Sequence, residues 1–220
     1  MRFVGSLQYA RMLDAREYYE DCGFQYIDVP WAVSREALLM TRPPALTNEP
    51  FSYEAGGKLL YPVASAEQSF IQMQMDAIEA GSRITGSFCT MTPCFRNEPV
   101  LDDLHQPYFF KLELISWDQT TPEDLTKMVA AARLYIENDD PGIFVDVIKN
   151  NDYDPISVSQ AYDLVGALTK HELGSYGIRQ NAKVGRWAYG TGLAEPRYSY
   201  VIEAERAVKF IQSAEQLRPA

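Results

Sequence analysis

The stretch CFRNEPVLDDLHQPYFFKLEL, residues 94–114, decides the reading of this chain. It spans the facing ends of two β-rich runs, 84–96 and 107–117, joined by the polar loop NEPVLDDLHQ, and so predicts a long hairpin. The hairpin carries Arg96, Glu98, His105, Phe109 and Glu113. A strand arginine grips a phosphate through two parallel N–H groups. A nearby acid accepts from an exocyclic amine or binds magnesium, and an aromatic ring stacks on a base. Together these groups suit a nucleoside triphosphate. The plainer alternative is an exposed hairpin with ordinary charge pairs.

Working outward, residues 7–22 predict a helix with Leu7, Ala10, Leu13, Tyr18 and Cys22 roughly on one face, ended by Gly23. FQYIDVP then reads as a strand that stops at Pro30. Residues 34–50 give a short helical turn and a Pro-rich loop, and KLLYPVA, 58–64, a short strand. Ser65 caps a helix running to about Ala80, with Gly81 closing it. Beyond the hairpin, Thr121 followed by Pro122, Glu123 and Asp124 starts a helix over 121–138. GIFVDVI, 142–148, reads as a strand, 150–159 as a polar loop and 160–170 as a helix. ELGSYGIR and GRWAYGTGL read as two more strands, before a last helix from about Arg197 to Gln216. The mixed order with long antiparallel pairs is α+β. No composition shift divides residues 1–220, so one domain is expected.

Hydrophobic residues at 46 % and charged residues at 23 % are ordinary globular values. No apolar run of membrane-spanning length occurs, and the N-terminus lacks the apolar core of a signal peptide. A cytoplasmic protein without a membrane partner is expected. The net charge of −10 argues against a surface built to hold a phosphate backbone, though not against a local basic groove. Cys22, Cys89 and Cys94 do not suggest a disulfide framework. Cys89 and Cys94 lie close together, but only His105 and His171 exist and no second pair stands at finger spacing. Both cysteines read as buried reduced thiols.

Two further stretches bear on chemistry. In YGTGLAEPR, 189–197, Gly190 and Gly192 let a backbone approach a ligand closely, and Arg197 starts the next helix, placed to lie against a triphosphate. In ELGSYGIR, 172–179, strand alternation sets Ser175, Gly177 and Arg179 on the face opposite Tyr176 and Ile178. There is no G-x-G-x-x-G or P-loop lysine pattern.

FRNE followed by HQPYFFKLE resembles motif 2 of the class II aminoacyl-tRNA synthetases, nearest in style to the lysine, aspartate and asparagine group. YGTGLAEPR is similar to motif 3, with Ala194 in place of its last glycine. GFQYIDVP, 23–30, looks like motif 1. The resemblance implies a mixed, mainly antiparallel sheet flanked by helices. It implies that ATP and Mg2+ are bound and that an amino acid is activated as its adenylate. By it, Arg96 holds the α-phosphate and the amino-acid carboxylate. Glu98 lies by the adenine, His105 reaches the distal phosphates, Phe109 stacks on the base, and Arg197 holds the γ-phosphate. Glu113 and Glu172 are the magnesium ligands, and Gly190 and Gly192 border the ATP site. Tyr108 stands where the lysine and aspartate enzymes commonly have an acid.

ELGSYGIR is similar to the strand before motif 3 in aspartyl- and asparaginyl-tRNA synthetases, and to the matching strand of ammonia-dependent asparagine synthetase. That similarity makes Arg179 the reader of a side-chain carboxylate or amide, with Ser175 beside it. It points to aspartate or asparagine. Glu67 and Gln68 fall where the family closes over the α-amino group. The motif 1 resemblance implies a homodimer through the segment ending at Pro30. No anticodon-binding domain is expected, so the favoured reading is a ligase whose acceptor, not identified, is other than a conventionally bound tRNA. Asparagine synthetase-like amidation with ammonia, a reduced tRNA ligase, and a non-catalytic amino-acid- or nucleotide-binding paralogue are the alternatives.

Overall fold

A computed structural model describes residues 7–42, 46–152 and 154–216. Among these the order is α1 (Tyr9–Asp21), β1 (Gln25–Tyr26), β2 (Ala32–Val33), α2 (Arg35–Thr41), β3 (Tyr53–Ala55), β4 (Lys58–Pro62), α3 (Ala66–Glu79), β5 (Ser87–Phe95), β6 (Tyr108–Ser116), α4 (Pro122–Asp139), β7 (Val145–Asn150), β8 (Ala161–Gly166), β9 (Glu172–Asn181), β10 (Gly185–Glu195) and α5 (Arg197–Gln216). Seven of the described strands form one sheet in the order β1-β5-β6-β10-β9-β8-β7, and β2-β4-β3 form a smaller one. β1 runs parallel to β5, and every other neighbour in the large sheet is antiparallel. This is the mixed, mainly antiparallel α+β architecture expected.

The predicted hairpin is the spine of that sheet, with Cys94 opposite Phe109 and Phe95 opposite Tyr108 at the mouth of the loop. Alternation along β6 assigns its two faces. Leu112 and Leu114 turn to a core shared with α1, α4 and α5, while Lys111 and Glu113 turn the other way. Each fully buried leucine there is worth about 1.5–3 kcal/mol of apolar burial. Ile115 joins a second core with α2, α3 and Trp187. The helices thus cover one face of the sheet broadly and the other only at its β5–β6 side. The uncovered part of that second face carries the site.

Local signals account for several ends. Ser34 caps α2 and Ser65 caps α3, each accepting from a backbone N–H of the first turn. α4 opens with a capping box between Thr121 and Asp124. Gly81 ends α3 at φ 79°, a conformation that favours glycine. The β3–β4 hairpin was not anticipated, although Gly56-Gly57, both at positive φ, is a strong two-residue turn signal.

Other expectations are corrected. α1 buries Met12, Ala15 and Tyr19, while Leu13 and Cys22 are exposed, so the predicted face is rotated. Ala15 lets the helix approach the sheet closely, and Tyr19 reaches the Gly192 carbonyl at 3.0 Å. Cys89 and Cys94, by contrast, are buried free thiols as expected, and burial pushes them up to about 12 and about 11. The strand expected at FQYIDVP pairs only at Gln25–Tyr26, although Ile27 still donates to the Cys89 carbonyl.

The helix expected over 160–170 is instead β8 and a turn. β8 is paired on both edges, by β7 and β9. The following Leu168 and Thr169 N–H groups donate to the buried carboxylate of Glu205 on α5. Sheet pairing and a buried acceptor outweigh local propensity here. Among the described residues no helix is long and apolar enough to cross a membrane. Glu205→Ala should leave the turn amides without their acceptor and lower stability by about 2–3 kcal/mol. Leu134→Ala on the exposed side of α4 should stay within about 0.5 kcal/mol of wild type. Urea unfolding of the two variants checks this.

Candidate active site

The free face of β6, β9 and β10 forms the floor of a cavity of about 440 Å³. Lys111 and Glu113 rise from β6, Ser175 and Arg179 from β9, and Tyr189 from β10. The N-terminus of α3 brings Ser65, Glu67 and Gln68 to one wall. The 96–107 loop brings Arg96, Glu98 and His105, and Arg197 closes one end. Arg42, Arg96, Lys111, Arg179 and Arg197 therefore converge on one cavity in a chain of net charge −10.

At one end the buried Glu67 carboxylate accepts from Trp187 Nε1 at 2.6 Å and from Arg179 Nη1 at 2.5 Å. Arg179 Nε donates to Asp154 at 2.6 Å, and the Tyr189 ring centroid lies 4.2 Å from its guanidinium carbon. Burial raises the Glu67 carboxyl above its ordinary range, against the opposing pull of Arg179. Burial also works against the Arg179 charge, but Glu67, Tyr189 and Asp154 outweigh it and hold the guanidinium above its usual value. The expected alternation of β9 holds, with Tyr176 and Ile178 buried in the helix-side core. Arg179, however, is not a lone guanidinium, and the space beside Gly177 is filled by the Tyr189 ring.

At the other end Arg96 lies over the Phe109 ring, 4.9 Å from the centroid, and its Nε donates to the Ala64 carbonyl at 3.2 Å. Arg96, Glu98, Phe109 and Arg197 line a small cleft adjoining the main cavity. Arg197 donates to Glu172 at 3.1 Å and to the Leu104 carbonyl at 3.2 Å, tying α5 to the hairpin loop. Buried Glu195 accepts from Arg11 at 2.9 Å and from the Ser199 hydroxyl at 3.0 Å, which fixes the start of α5. The Glu195–Pro196 peptide is cis. His105 lies on the cavity rim with Nδ1 2.9 Å from Asp102.

The carboxylates named for magnesium both face the cavity. Glu113 is buried and pairs with Lys111 at 2.8 Å, accepting also from Ser65 Oγ at 2.8 Å. Glu172 is more open and pairs with Arg197. No group of three or more metal-ligating side chains occurs among the described residues. A magnesium ion carried on phosphates asks only one or two carboxylates of the protein. The pair Glu113 and Glu172 fits that demand.

Gly190, Gly192 and Gln68 do different work from that expected. A Cβ on Gly190 would lie 2.6 Å from the Tyr176 ring and 2.7 Å from Met128 Sδ, and one on Gly192 would lie 2.9 Å from Tyr19. Their open sides face the helix layer, where they let α1, α4 and Tyr176 pack against β10. Gln68 accepts from the Ala64 N–H at 2.8 Å and donates to Leu38 and Thr41, so it braces α2 against α3. Asp154, Tyr189, Trp187, Lys111 and Arg42 were missed. Lys111 was legible, since it stands two residues before Glu113 on the same strand. Asp154, in a polar loop, gives no local signal.

No family profile and no curated protein sequence matches the chain. Solved structures do. Cytoplasmic serine–tRNA ligase from Naegleria fowleri, in complex with AMP, aligns at a TM-score of 0.69 and 16 % identity, covering 86 % of this chain and 46 % of that one. Seryl-tRNA synthetase from Pyrococcus horikoshii, complexed with ATP, aligns at 0.67 and 15 % identity, over 88 % and 49 %. PylSc, a pyrrolysyl-tRNA synthetase of Desulfitobacterium hafniense, aligns at 0.64 and 13 % identity, over 90 % and 68 %. The chain thus spans about half the length of the two seryl enzymes. Its fold is like that of class II aminoacyl-tRNA synthetase catalytic cores.

The glycine packing is directly testable. Gly190→Ala should crowd Tyr176 and Met128 and lower stability by about 1–3 kcal/mol without any ligand present. An unchanged urea midpoint would show that Gly190 is not held by packing.

Proposed function

We propose that this chain activates an amino acid with ATP, forming an aminoacyl adenylate and releasing pyrophosphate. The observation that carries this reading is the convergence of Arg96, Arg197, Lys111, Arg42 and Arg179 on one cavity of an acidic chain. The likeness of the fold to tRNA synthetase structures solved with AMP and ATP supports it.

An ionised amino-acid carboxylate attacks the α-phosphorus. A P–O bond forms, the bond to the β-phosphate oxygen breaks, and pyrophosphate leaves. No general base is needed, because the nucleophile is already an anion. Arg96 holds the α-phosphate and the incoming carboxylate, and Arg197 takes the distal phosphates with His105. The Phe109 ring beside Arg96 offers a flat apolar face to adenine, with Glu98 near the base. Glu67 keeps lone pairs beyond those used by Trp187 and Arg179 and receives the α-ammonium. Magnesium, when bound, supplies charge neutralisation at the phosphates, and Glu113 and Glu172 would hold it.

The strand ELGSYGIR supports a substrate of the aspartate–asparagine kind. The net charge of −10 supports an acceptor other than a conventionally bound tRNA, such as a small molecule, peptide or carrier protein. A homodimer through the segment ending at Pro30 belongs to the same reading. β1 is an outer strand of the sheet, and Trp31, which follows Pro30, is 58 % exposed. A two-fold interface there would be isologous.

Arg96→Ala should lower amino-acid-dependent pyrophosphate–ATP exchange by about a hundred- to a thousandfold, with an unchanged circular dichroism spectrum. Full exchange by the folded variant would sink the adenylation reading. Sedimentation equilibrium at micromolar concentration should give twice the 24.9 kDa chain mass. A monomer alone at that concentration rules the dimer out.

A further inference from the structure

We infer that Asp154 is a specificity-determining residue, and that with Arg179 and Glu67 it sets the site to take a side chain ending in a carboxamide and to refuse a carboxylate. The inference rests on the amino-acid-activation reading above. It turns on what already surrounds Arg179. The guanidinium carries five N–H donors. Nε is committed to Asp154 at 2.6 Å and Nη1 to Glu67 at 2.5 Å. One positive charge is thus bracketed by two negative ones. The bracket is sheltered, with side-chain exposures of 13 % for Arg179, 4 % for Glu67 and 23 % for Asp154. The Tyr189 ring covers the guanidinium.

Four kinds of terminal group respond differently to this bracket. A carboxylate meets Asp154 on a guanidinium whose other edge Glu67 already holds, and in a sheltered site that repulsion is weakly screened. An ammonium is drawn to Asp154 but meets the guanidinium between the two acids. A carboxamide carries an acceptor oxygen and a donor NH2 on one planar group, so it can take a remaining Arg179 N–H and give one to Asp154 without adding charge. An apolar end satisfies neither.

The placement of Asp154 makes it the adjustable member. Glu67 is anchored by Trp187 at 2.6 Å and is buried in the first turn of α3. Asp154 sits in the loop between β7 and β8 and lines a wider groove, which shares Arg179, Ser175 and Tyr189 with the 440 Å³ cavity. Its remaining oxygen caps its own loop by accepting from the Ile156 N–H at 3.1 Å.

The test is pyrophosphate–ATP exchange with asparagine, aspartate, lysine and leucine, on wild type and on Asp154→Asn. Wild type should use asparagine at least about tenfold better than aspartate. Asp154→Asn should move the asparagine-to-aspartate ratio of kcat/KM toward aspartate by about tenfold, or about 1.4 kcal/mol. Because both substrates are measured on one preparation, that ratio does not depend on how much of the variant folds. Calorimetric titration of wild type with asparagine and with aspartate gives the same comparison without a variant, and tighter asparagine binding supports the inference. Preference for aspartate, lysine or leucine by wild type overturns it, as does an unchanged ratio in Asp154→Asn, while adenylation itself stands. Exchange with no amino acid at all overturns the adenylation reading, and this inference with it.

Discussion

The buried carboxylate of Glu67 is the interaction on which the site is built. It joins the first turn of α3 to β9 through Arg179 and to β10 through Trp187. A carboxylate that deep is unfavourable unless both oxygens are matched, and removing one partner of such a pair typically costs about 3–5 kcal/mol. The pairing therefore locks the helix start to two neighbouring strands. It fixes the depth of the cavity and the direction of the Arg179 guanidinium.

The other end of the cavity is held by charged groups that tie remote parts of the chain together. Arg197 binds the hairpin loop through Leu104 and the start of β9 through Glu172. Glu195, wholly buried, is matched by Arg11 from α1 and by Ser199. Arg197 thus stands on a frame whose members are separated by most of the chain length. Rigid placement of this kind suits the proposed adenylation, in which orientation and fixed charge at the α-phosphorus lower the barrier.

The glycines show how one sequence signal has two structural meanings. Gly190 and Gly192 invite a reading as a place where backbone meets ligand. Their missing side chains instead make room for Tyr176, Met128, Tyr19 and Leu112. Glycine in a strand marks a close approach, but the sequence does not say which face is approached. Gly177 is the same case on the cavity side, where its neighbour is the Tyr189 ring.

The sequence alone determined the hairpin at 84–117, the capped helices α3 and α4, and the grouping of Arg96, Glu98, Phe109 and Glu113 on one structural unit. These follow from alternation, capping residues and turn polarity, all of which act within a few residues. It also set the faces of β9, because strand periodicity is local. The tertiary structure decided the rest. Residues 160–170 became a strand and a turn because two neighbouring strands and Glu205 outbid a weak local preference. The buried face of α1 was chosen by the sheet it lies on. Arg179 acquired Glu67, 112 positions away, and Asp154, 25 positions away. No local pattern announces such partners, because a buried charge is matched by whatever the fold brings within reach, and only the folded chain settles what that is.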